Sequence, residues 1–117
     1  MKLGRIVGTV VSTRKDEKIE GLRLYVVRDL SIDLSQKDSF VVAADTVGAG
    51  VGELVLYASG SSARQTRMTD NRPVDAAVMA IVDTIDLEDE LLYDKYSEAR
   101  AELDAAVSGV DAVVLLT

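Results

Sequence analysis

Three glycines at alternate positions, Gly48, Gly50 and Gly52, separate two strand-like runs, and no other feature of the 117-residue chain limits its fold as tightly. The apolar run 41–44 precedes them and the alternating run 54–58 follows, both with the composition of strands. Glycine is required where the backbone turns to positive φ or where another backbone leaves no room for a Cβ, so this spacing implies a sharp corner between two strands. Gly60-Ser-Ser-Ala-Arg64 then leaves the second strand, and its small residues and hydroxyls suit a short helical turn running into Gln65 and Thr66.

The glycine spacing also excludes the common phosphate-binding loops. A P-loop ends in Gly-Lys-Ser/Thr, whereas Gly52 is followed by Glu53. A dinucleotide fingerprint needs a further glycine opening a helix, whereas Glu53 again holds that position and a strand follows.

The remaining chain up to residue 85 also reads as strands. Residues 3–13 carry Ile6, Val7, Val10 and Val11, with Gly8 marking a bend, and 22–28 alternate as a second strand, so the two form a hairpin across a charged connection. Residues 40–46 and 52–58 make the third and fourth strands, and the β-branched second half of 74–85 makes the fifth. Five short strands with glycine-marked corners predict a mainly β fold, a small OB-like β-barrel closed or nearly closed, because closure removes exposed strand edges. Beyond it, Leu87, Leu91, Leu92, Ala99, Leu103, Ala106 and Val107 recur at helical steps, predicting a C-terminal α-helix over 87–108 capped by Asp86 and ended by Gly109. The apolar run 110–116 adds a short terminal strand, so that 1–86 form the barrel and 87–117 an extension of the same domain.

Composition narrows function. The net charge of −7 repels phosphate backbones and anionic lipid, arguing against nucleic-acid and membrane partners. With neither His nor Cys, the chain has no ordinary zinc site, histidine-based catalysis or disulfide framework, and no cofactor is expected. No run spans a bilayer, and a cytoplasmic location is expected.

The remaining candidates have plain structural readings. Glu88, Asp89 and Glu90 fit the first turn of the helix better than a metal site. Asp45 and Glu53 flank the glycine corner but lack a partner that would make them a catalytic pair. Ser61, Ser62 and Arg64 are placed either to satisfy turn amides and pair across an interface or to cradle an anion. Tyr93 and Tyr96 read as packing residues on the helix. Nothing here calls for an enzyme.

Together, Gly4-Arg-Ile-Val-Gly-Thr-Val-Val-Ser-Thr13, Ala44-Asp-Thr-Val-Gly-Ala-Gly-Val-Gly-Glu53, Gly60-Ser-Ser-Ala-Arg64, Pro73-Val-Asp-Ala-Ala77 and Ile81-Val-Asp83 resemble the EutN/CcmL family, over about residues 1–86. The resemblance implies a structural protein, a homopentamer that caps the vertices of a bacterial microcompartment or carboxysome shell. It also implies hexameric and pseudohexameric shell proteins as partners, and a place in the shell within the cytoplasm. By the same resemblance Gly48, Gly50 and Gly52 are candidates for close packing in the ring, and Ser61, Ser62 and Arg64 for subunit contacts or the axial opening. The tail after residue 86 departs from the shorter end expected of the family. The alternative is an OB-like binding module for oligonucleotide or oligosaccharide, disfavoured by the acidic balance and an aromatic content of 4%.

Overall fold

A computed structural model describes residues 1–97. The chain divides into two compact units, 1–82 and the residues from Asp83 onward.

The first unit is a closed barrel of β1 (Lys2–Val10), β2 (Leu24–Leu30), β3 (Gln36–Asp45), β4 (Leu54–Ser59) and β5 (Ala76–Ile81), in the spatial order β1-β2-β3-β5-β4. The five expected strands are all present, and β1 and β2 form the expected antiparallel hairpin. A bulge between Ile6 and Gly8 bends β1 where the interior glycine had marked a corner. The barrel closes through a short parallel pairing of β3 and β5, in which Ala44 lies opposite Ala77 and Asp45 opposite Val78. Ile6, Tyr25, Val27, Ala43, Val55, Tyr57, Ala76 and Val78 fill the interior.

The interior is tightest at Gly4. A Cβ there would overlap the Val27 Cγ1 methyl and lie 2.9 Å from the Arg28 carbonyl oxygen and 3.5 Å from Tyr57 Cε1. The residue is glycine because two inward side chains and a neighbouring strand's backbone occupy the space.

The second unit differs from the sequence expectation. In place of a helix from Leu87, residues Thr84–Leu87 and Glu90–Asp94 form an antiparallel hairpin, β6 and β7. Glu88 and Asp89, expected in a first helical turn, adopt φ of 52° and 64° and make the turn between the strands. Tyr93 accordingly lies on a strand, opposite Ile85. Residues 95–97 take helical backbone, and the Asp94 carboxylate accepts from the amides of Tyr96 and Ser97 at 3.0 and 3.4 Å. Capping therefore falls at Asp94 and not at Asp86. The rest of the expected helix and the run 110–116 lie outside the described residues.

Candidate functional site

The glycine corner, residues 46–53, is a loop organised by its own acids. The Asp45 carboxylate accepts from the amides of Val47 and Ala49 at 3.2 and 3.3 Å, and the Glu53 carboxylate accepts from the Gly50 amide at 2.8 Å. From the barrel interior, the Tyr25 hydroxyl donates to the Ala49 carbonyl at 2.5 Å. The Gly52 amide donates to the Ile6 carbonyl at 2.8 Å, and Arg5 Nη1 donates to the Gly52 carbonyl at the same distance. Both acids thus have a structural task in satisfying loop amides.

At Gly48 and Gly52 the φ values of 74° and 94° account for the glycines, since a Cβ at either position would meet nothing within 4 Å inside the chain. Crowding within the subunit is therefore not what selects them.

The Gly60–Arg64 segment forms the expected helical turn, of the 3-10 type. Thr69, fully buried, holds it from below: its hydroxyl donates to the Ala63 carbonyl at 2.6 Å while its amide donates to Thr66 Oγ1 at 3.0 Å. Arg64 Nη1 donates to the Val74 carbonyl at 3.2 Å. Ser61 and Arg64 line a common cleft with Lys18 and Arg72, whereas Ser62 and the three corner glycines are not part of its lining. Lys18 escaped the sequence reading because it lies far from the motif in the chain, and Arg72 and Thr69 because the polar loop 67–73 gave no sign of a charge turned to the cleft or of a buried hydroxyl.

A third polar cluster sits at Asp29, half-buried on β2. Its carboxylate accepts from the Tyr57 hydroxyl and, at 2.6 Å, from Ser39 Oγ. Burial alone would push the Asp29 carboxyl up, but these two hydrogen bonds, with Lys2 and Lys37 nearby, hold it below the ordinary carboxylate range. Burial, then the bond to Asp29 and its charge, push the Tyr57 phenol up, so it stays protonated and donating.

The outer face of β1, β2 and β3 is apolar although the barrel is closed. Register places Val10, Leu24 and Ala44 in one row across the three strands, Gly8, Val26 and Val42 in the next, and Arg5, Arg28 and Phe40 in a third. Val42 and Phe40 are 48% and 56% exposed, and the Arg28 guanidinium covers part of the Phe40 ring from 5.1 Å. A groove of about 200 Å³ beside this face continues it past Ile19, Pro73 and Val74. Val10, Val42 and Phe40 are the exposed apolar members of this face, and such surface residues are candidates for a protein contact.

The fold and this face define a small closed-barrel domain with apolar side chains exposed on one outer face. Residues 1–83 match the family model described as ethanolamine utilisation protein EutN/carboxysome, and the chain belongs to this EutN/CcmL family. It is 46% identical over 95 residues to the carboxysome shell vertex protein CcmL of Synechococcus elongatus, covering 81% of this chain and 96% of that one. It is 50% identical over 86 residues to the bacterial microcompartment shell vertex protein GrpN of Rhodospirillum rubrum, covering 74% and 97%. Among solved structures, Gloeobacter violaceus CcmL superposes with a TM-score of 0.79 at 40% identity, covering 82% of this chain and 99% of that one. The pentameric GrpN shell protein superposes with a TM-score of 0.68 at 48% identity, covering 74% and 100%.

Proposed function

We propose that the protein is a structural shell subunit whose homopentamers cap the vertices of a bacterial microcompartment in the cytoplasm. The observation that carries this reading is the match to the whole length of the pentameric GrpN chain at 48% identity. The subunit's own geometry supports it. Closure pairs most strand edges of the barrel, which favours association through faces, and the Val10–Val26–Val42–Phe40 surface is an apolar one available for a second copy. A head-to-tail contact repeated about a closed axis makes a ring, and a five-fold ring supplies the curvature absent from a flat hexameric layer.

Gly48, Gly50 and Gly52 are proposed as ring-packing positions, and Ser61, Ser62 and Arg64 as contacts or lining of the axial opening. Hexameric and pseudohexameric shell proteins are the proposed neighbours at the rim. The role is one of shape: Asp45 and Glu53, the pair weighed for acid–base chemistry, both hold loop amides. The alternative binding-module reading gains little, since Tyr25, Tyr57 and Tyr93 are buried and, of the two exposed aromatics, Phe40 is partly covered by the Arg28 guanidinium.

Electron microscopy of shells assembled from hexameric shell proteins with and without this chain tests the role. Closed polyhedra are expected only when it is present, and equal closure in both preparations would refute it.

A further inference from the structure

We propose that the cleft between the Gly60–Arg64 turn and the loop leading into β5 is a binding site for a small phosphate-bearing molecule. The site lies within one subunit, and the inference goes beyond the shell role. In a chain of net charge −7, Lys18, Arg64 and Arg72 converge on one cavity of about 470 Å³ that contains a single carboxylate, Asp70. None of the three cations forms an ion pair among the described residues. Three cations against one carboxylate in a concavity raise the local positive potential and favour an anionic ligand.

The two guanidiniums are held in place. Arg64 Nη1 donates to the Val74 carbonyl at 3.2 Å and Arg72 Nη1 to the Glu20 carbonyl at 3.1 Å, contacts that orient each guanidinium without neutralising it. The Lys18 backbone is fixed by its amide's hydrogen bond to the Asp16 carboxylate, at 2.9 Å. Buried Thr69 anchors the intervening loop through the Ala63 carbonyl and accepts the Arg72 amide on its own carbonyl, at 3.0 Å. Such preorganisation lowers the ordering cost of binding.

The donor set suits a phosphate. Two planar guanidinium forks, a lysine point charge and the Ser61 hydroxyl surround the space, and a tetrahedral dianion can accept from several directions at once. A protein partner fits poorly, because Pro73 is the only apolar residue in the lining and offers no pocket for an anchoring side chain. The volume lies within the range of small-ligand sites and admits a phosphate ester as well as free phosphate.

Isothermal titration calorimetry of the full chain, in low-salt buffer free of phosphate, tests the site with three probes: inorganic phosphate, glucose 6-phosphate and an acidic glutamate peptide. Saturable binding of at least one phosphate probe is expected, weakened by salt. The double variant K18Q/R72Q, which leaves Arg64 and the proposed ring contacts intact, should weaken it by at least tenfold, with the native mass and urea midpoint unchanged. Tighter binding of the ester assigns an organic phosphate, and equal affinity assigns the free ion. Absence of saturable binding by both phosphate probes, unaltered affinity in the variant, or tighter binding of the peptide would overturn the proposal. Should the variant not fold, hydrogen exchange of the unmodified protein decides: phosphate should protect 60–72, the segment spanning the turn and Arg72, together with the Lys18 turn at 16–20, and protection confined to other segments or none would overturn it.

Discussion

Replacing Gly4 by alanine tests whether the barrel is closed as tightly as its register implies. The added methyl would overlap Val27 Cγ1 and stand 2.9 Å from the Arg28 carbonyl oxygen. Val27 is fully buried and β-branched, with few alternative rotamers, and the carbonyl belongs to the β1–β2 ladder, so neither neighbour yields easily. Overpacking of this kind costs about 1–3 kcal/mol. The upper part of that range applies here, reduced by up to about 1 kcal/mol because alanine restricts the unfolded chain. A net loss of about 2 kcal/mol is expected, which for a domain of this size lowers the melting temperature by roughly 8–16 °C. Gly8 in the same strand supplies the control, since a Cβ there would meet Val26 only at ordinary distances of 3.9 and 4.0 Å. Gly8→Ala should be neutral or stabilising by up to about 1 kcal/mol. Both variants are compared by urea unfolding at one chain concentration, because self-association into the proposed ring would make stability concentration-dependent. A Gly4→Ala protein within about 0.5 kcal/mol of the parent, or equal losses in the two variants, would refute the packing argument.

Val42→Glu places a charge in the middle row of the apolar face, where the residue is 48% exposed, so the barrel should fold with little change while sedimentation velocity shows the ring dissociating; an intact ring would move the interface elsewhere. Thr69→Val removes the donor to the Ala63 carbonyl and should cost about 1–3 kcal/mol in urea unfolding. The Asp29 carboxyl is a stronger acid folded than unfolded, so its contribution is complete above the ordinary value near 4 and is lost as pH falls through its lower folded-state value. Asp29→Asn should therefore flatten the acid limb of stability against pH, and an unchanged limb would contradict this.

The barrel was legible because its strands are β-branched runs punctuated by glycines, and the period-two pattern survives in residues such as Val55 and Tyr57, both buried, with Leu56 more exposed between them. The hairpin over 84–94 was not, because Leu87, Leu91 and Leu92 mimic helical spacing. What decides the structure there is the positive φ of two acidic residues, Glu88 and Asp89, and an acidic pair is as compatible with a helix N-terminus as with a turn. The glycine corner was foreseen as a turn, but its stabilisation by Asp45, Glu53 and Tyr25 depends on hydrogen bonds that spacing does not reveal. The cleft was half visible: Ser61 and Arg64 share a motif, while Lys18 and Arg72 are brought to them by the fold.

The central claim is a ring of identical subunits, and native mass spectrometry of the purified full chain at moderate salt tests it most directly. A homopentamer gives one dominant species at five times the 12.6 kDa chain mass. A monomer that persists at every concentration, or a ring of a different order, would contradict it.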